Sequence, residues 1–194
     1  MAKKNKYFVI GFVGKRGCGK DACTKYLAQK YKAKEIIMSE FISKALQLFH
    51  ISRNRKNIPW FITKIRKRFG KGVLARSVIW EIGTDGYSYY LLNGIRLARE
   101  VEILREKFGR RFKLVNLDCN DEKRFMRIKN RERKRKLGKD EVGMSLFDFV
   151  KQERRIVTEK EIPAIQKNAD FVIQNDGTKE NLYRELNKLI KDLK

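Results

Sequence analysis

The chain has 194 residues, 42% hydrophobic and 11% aromatic, which is enough to bury a core and excludes a wholly disordered polymer. Its longest apolar runs are strand-sized, so no membrane-spanning segment is expected, and its basic start does not read as a signal peptide. A formal net charge of +24 attracts polyanions, whether nucleic acid, acidic membrane surface or phosphorylated metabolites.

In chain order, residues 7–13 form a short β-branched and aromatic run that predicts a buried strand. Gly14-x4-Gly19-Lys20 follows, and a segment with Ala22, Leu27 and Ala28 on one side predicts a helix. Strand, glycine loop and helix in this order form the setting of a phosphate loop. Glycines let successive backbone N–H groups point at an anion, and the helix start adds the positive end of its dipole. Lys20 then reaches the β- and γ-phosphates of a nucleotide. The residue after the lysine is Asp21, where the pattern has a Ser or Thr that ligates Mg²⁺. A carboxylate there can hold the metal directly or through water, or can serve as a negative charge at the helix N-terminus.

A second strand is predicted at 34–38, then a helix opened by Ser39 and Glu40, with His50 near its end as a helix-terminal cation or surface residue. Residues 51–72, with Pro59, Trp60, Phe61 and many cations, are the least regular part and suit either a short helical insertion on the substrate side or a mobile element. Helical spacing returns at 74–82, a third strand at 87–92, a helix at 97–107 and a fourth strand at 112–118. A very basic helix spans about 121–136, a loop 137–141, and further helix runs from about 146 to 156 and beyond. The last strand is expected at 169–174 and a closing helix at 179–194. Asp118 is expected to cap the basic helix, and Tyr87, Tyr89 and Tyr90 to pack in their strand.

Cys18, Cys23 and Cys119 show no Cys-x-x-Cys pairing, so neither zinc nor a disulfide framework is indicated, and a cytoplasmic protein is expected. Cys23 falls in the first helical turn, where a thiol can acidify, although a buried inert cysteine is the favoured reading. Cations concentrate at 53–71 and 124–139, which suits either a solvated lysine-rich surface or contact with nucleic acid. Strands alternating with helices imply a three-layer α/β domain over 1–194, its mostly parallel sheet flanked by helices, with ligands at the carboxyl ends of the strands.

The chain resembles the P-loop nucleoside-monophosphate-kinase-like group, which includes dephospho-CoA kinase and deoxynucleoside monophosphate kinases. The likeness rests on the loop at 11–21 with its Gly-Lys-Asp ending and on Leu92-Asn93-Gly94-Ile95-Arg96 with Glu100-Val101-Glu102. It rests also on the arginines of the basic helix and on Ala169-Asp170-Phe171-Val172-Ile173 with Asn175-Asp176-Gly177-Thr178. The resemblance implies a P-loop NTPase fold with an arginine-rich lid at about 121–160, and Mg²⁺-dependent phosphoryl transfer from ATP to a small phosphate-bearing acceptor. Gly14, Lys15, Arg16, Gly17, Cys18, Gly19, Lys20, Asp21 and Ala22 would hold the phosphates, with Asp21 at the metal. Lys20, Arg96, Arg127 and Arg131 would be catalytic, Arg96 through the acceptor's phosphate, and Asn175 and Gly177 would lie against adenine. Asn93 departs from the family's aspartate; an amide is neither a base nor a charged metal ligand, and Asp21 can supply the missing carboxylate. Arg96 has a plainer reading, as a surface partner of Glu100 at i,i+4. Two other functions fit the same residues: a nucleic-acid-binding P-loop protein or polynucleotide kinase, and a member of the fold that binds nucleotide without transferring phosphate.

Overall fold

Five hydrophobic segments pair side by side, all parallel, in the computed structural model, which describes residues 7–54, 56–135, 144–155 and 157–193. They are β1 (Phe8–Val13), β2 (Lys34–Ile37), β3 (Tyr89–Asn93), β4 (Phe112–Asp118) and β5 (Phe171–Gln174), in the order β2-β3-β1-β4-β5. The segment at 1–6, Arg55, Lys136, the loop expected at 137–141 with its Lys139, residues 142–143, Ile156 and Lys194 lie outside the described residues.

Nine α-helices among the described residues join and cover the strands: α1 (Lys20–Tyr31), α2 (Met38–Leu48), α3 (Asn57–Phe69), α4 (Val73–Ile79), α5 (Ala98–Phe108), α6 (Asp121–Arg135), α7 (Leu146–Arg155), α8 (Val157–Lys167) and α9 (Lys179–Asp192). Strand side chains alternate between two faces. Val9, Val13, Tyr90, Leu92 and Leu114 pack with residues of α2, α4, α5 and α8. Ile10, Phe12, Leu91, Val115 and Leu117 pack with α1 and α9 on the other side. The result is the three-layer α/β sandwich expected from the alternation of elements, with its sheet parallel throughout.

The irregular stretch at 51–72 is mostly helix. Asn54 Oδ1 accepts from the backbone N–H groups of Lys56 at 2.9 Å and Asn57 at 2.7 Å, a local turn that starts α3. Pro59 falls in the first turn, where its missing N–H has no helical partner to lose. Gly70 ends the helix at φ 82°. The cap of α6 differs from expectation as well. Asn120 Oδ1 accepts from the N–H of Lys123 at 2.8 Å, whereas Asp118 accepts from the adjacent N–H of Cys119. Tyr89 and Tyr90 are buried in β3, and Tyr87 stands outside the strand, 39% exposed.

Register puts the carboxyl ends of the strands on one edge, with Phe12 and Ile37 both opposite Asn93, Val13 opposite Asn116 and Asp118 opposite Gln174. The glycine loop leaves the sheet at this edge.

Candidate active site

Between β1 and α1 the loop turns through left-handed backbone that only glycine adopts freely. Gly17 has φ 82°, and a Cβ there would lie 2.8 Å from the carbonyl oxygen of Arg124. Gly19 has φ 104°, and a Cβ there would lie 2.5 Å from the side-chain amide of Asn175. The loop is thus wedged between α6 and the turn after β5. Helix α1 begins immediately after Gly19 with no side chain capping its N-terminus, and the N–H of Ala22 returns to the Gly19 carbonyl at 3.0 Å. An uncapped helix start behind a left-handed glycine turn leaves backbone N–H groups that can receive an anion.

Lys20 is folded into this loop. Its ammonium donates to the carbonyls of Gly14 at 2.6 Å and Lys15 at 3.1 Å, and reaches Cys18 Sγ at 3.5 Å. Asp21, exposed in the first turn of α1, accepts a 2.9 Å hydrogen bond from Asn93 Nδ2 at the end of β3. Asp21 and Asn93, the two positions that depart from the motif, therefore touch. Among the described residues there is no group of three or more His, Cys, Asp or Glu side chains that could cage a metal.

Asn175 is buried, and its Nδ2 donates to the Cys18 carbonyl at 2.7 Å, so its amide fastens the loop. Arg127 donates from Nη2 to the Asn175 carbonyl at 2.8 Å and from Nη1 to Cys119 Sγ at 3.3 Å, which sets its guanidinium beside the turn after β5. Arg131 lies one helical turn further along α6, and Gly177 is exposed in the turn itself. Arg96 follows β3 on the same edge of the sheet, its N–H donating to Glu100 Oε2 at 2.9 Å. Glu100 is not a surface partner. It has no exposed side-chain surface, and it also takes the N–H of Leu97 at 3.1 Å and Arg66 Nη2 of α3 at 3.0 Å. Burial pushes its carboxyl above the usual range, against the Arg96 and Leu97 N–H groups and the Arg66 charge.

The thiols are quiet. Burial pushes Cys23 far above its ordinary range, opposite to the acidification a helix N-terminus can cause, and pushes Cys119 up to about 11.

The residue that sequence reasoning missed is Arg124. It stood within a run of cations, yet its side chain is wholly buried. Nη1 donates to the Arg16 carbonyl and to Glu153 Oε1, both at 2.8 Å, and Nη2 to Asp121 Oδ1 at 2.6 Å and Glu153 Oε2 at 2.8 Å. The guanidinium sits 5.3 Å from the centre of the Phe149 ring. One side chain thereby joins the glycine loop, α6 and α7.

No family model matches the chain. It is 32% identical over 125 residues to a UPF0200 protein of Methanosarcina mazei, spanning 64% of this chain and 66% of that protein's length. It is 26% identical over 176 residues to a UPF0200 protein of Saccharolobus islandicus, covering 91% and 88% of the two chains. Among solved structures, TT1252 from Thermus thermophilus superposes with a TM-score of 0.58 at 18% identity, over 97% of this chain and 99% of the other. Shikimate kinase from Bacteroides thetaiotaomicron gives 0.56 at 18% identity, over 96% and 98%. The shikimate kinase from Acinetobacter baumannii solved with shikimate gives 0.55, also at 18% identity, over 98% and 96%. The fold is that of the P-loop kinases.

Proposed function

We propose that the chain is a phosphotransferase that takes the terminal phosphoryl group of ATP, with Mg²⁺, to a small acceptor. The observation that carries this reading is the ammonium of Lys20 held within the glycine loop, with the Asp21–Asn93 pair beside it at the carboxyl edge of the sheet. Phosphoryl transfer needs positioning and charge compensation more than a strong base. Lys20 supplies the cation at the β- and γ-phosphates, and the loop and the start of α1 supply backbone donors. One exposed carboxylate suits a metal that arrives on the nucleotide, because Mg²⁺ keeps several waters and takes one or two carboxylates plus phosphate oxygens. When bound, that ion neutralises charge on the transferring group. Asp21 would hold it, and the Asn93 amide would orient Asp21 without adding a second charge. Arg127, which the resemblance gives with Arg131 to the transferring phosphoryl group, is turned to the carbonyl of Asn175 and would serve the nucleotide's base side instead. Arg131 serves the transferring phosphoryl group, and Arg96 serves a phosphate on the acceptor. A nucleoside monophosphate or a dephospho-CoA-like acceptor suits that arginine and the resemblance of the loop and of the Asn93-Gly94-Ile95-Arg96 segment. The cytoplasm is the compartment that supplies ATP and such acceptors.

The test is ADP release from ATP and Mg²⁺ across dephospho-CoA, ribo- and deoxynucleoside monophosphates, shikimate and short 5′-hydroxyl oligonucleotides. We expect turnover with one small acceptor, lowered about 10²–10³-fold in Lys20→Ala. Asp21→Ser is expected to shift the Mg²⁺ dependence. Turnover on oligonucleotides alone would make the chain a polynucleotide kinase, and ATP binding without turnover on any acceptor would leave a nucleotide-binding protein that has lost transfer.

A further inference from the structure

Residues 41–80 contain ten lysines and arginines and no aspartate or glutamate. The centre of this stretch is α3, and its two faces are unlike. Ile58, Phe61, Ile62 and Ile65 pack against the core. Lys56, Trp60, Lys64 and Lys67 recur at intervals of four and three, so they share the opposite face, and all four are exposed. Trp60 keeps 49% of its surface in solvent, and its ring lies 6.3 Å from Phe61, whose ring lies 6.4 Å from that of Phe49. Phe49, at the end of α2, is itself 63% exposed.

We propose that this face of α3 binds single-stranded nucleic acid, with Lys56, Lys64 and Lys67 along the phosphates and a base stacked on Trp60. The row of cations runs about 16 Å along the helix, longer than one nucleotide needs. Single strands are held by such a combination: cations that track the backbone and aromatic faces that accept any base. An anionic membrane surface is a poorer match. An interfacial helix buries a continuous apolar stripe in lipid, and the apolar stripe of α3 is already packed, partly buried, against the protein's core. The proposal is independent of the phosphate loop, so it stands or falls apart from the phosphotransferase reading.

Fluorescence anisotropy of a labelled thymidine dodecamer, titrated with the full chain from 50 to 200 mM salt, tests it. Trp60→Leu is expected to weaken binding about tenfold and Trp60→Phe to restore most of the loss. Lys64→Gln with Lys67→Gln is expected to flatten the slope of log affinity against log salt by about 1.4. Lys20→Ala is expected to bind like the wild type. Equal binding by Trp60→Leu, or equal competition by polyphosphate of the same charge, would reduce the face to a bare polyanion adsorber and overturn the proposal. Loss of binding in Lys20→Ala would place the strand in the phosphate loop instead. Trp60-dependent binding to phosphatidylserine vesicles without binding to the dodecamer would assign the face to membrane.

Discussion

Arg124 shows what one side chain can hold in place. Its guanidinium, itself wholly buried, satisfies both oxygens of the buried Glu153, one of the more exposed Asp121 and the carbonyl of Arg16. Removing one partner from such a group strands the other charges, so Arg124→Ala is expected to lose about 3–5 kcal/mol in urea unfolding. Replacing Arg124 with Met and Glu153 with Leu together is expected to recover most of that loss, because the stranded charge goes too. A loss in Arg124→Ala below ~1 kcal/mol would mean water reaches the site. The glycines of the loop could be read in the sequence, because each meets a backbone demand no other residue meets. Arg124 could not. Its signature is an Asp121-x-x-Arg124 pair, common on any helix surface, and its main partner lies 29 positions away. The contact between Asp21 and Asn93, separated by 72 positions, was legible only as two oddities that compensate.

Whole elements were easier to read than their attachments. All five strands lie near their expected places, since short β-branched, aromatic or leucine-rich runs between polar turns leave little alternative. Helix α3 is ambiguous in the sequence because a proline and many cations read as a breaker, although the proline occupies the one turn that tolerates it. Besides its apolar face, α3 is fastened by the ion pair of Arg66 with the buried Glu100, which also holds the N–H groups ahead of α5. This joint has a pH signature. Burial raises the Glu100 carboxyl above its ordinary 4.5, so the folded state binds that proton more readily than the unfolded chain. Its contribution to stability is therefore fully present below 4.5 and is lost as pH rises through the raised value. Relative to Glu100→Gln, the wild type is expected to gain stability as pH falls from 7 towards 4.5, read from paired urea titrations. A wild type that loses ground over that range would show that Arg66 outweighs burial.

At the scale of the molecule, charge dominates. A net +24 on one small domain means that like charges repel across the whole surface, and the ion pairs among the described residues are mostly exposed and weak. The thermal midpoint is expected to rise between 50 and 300 mM sodium chloride, because screening relieves repulsion acting beyond about 10 Å. A midpoint that falls with salt would credit the ion pairs with more than that repulsion. Composition gave this excess but not its layout. That α3 turns Trp60 and its lysines outward follows from which face the core claims.

The glycine loop also has a history in time. Its anchor, Asn175, lies 157 positions after the Cys18 carbonyl it holds. At ~5–20 residues per second, the ribosome needs on the order of 8–30 s to deliver that anchor after the loop has been made. The loop therefore waits, with Gly19 unsupported by the amide that later lies against it, until the turn after β5 has been synthesised.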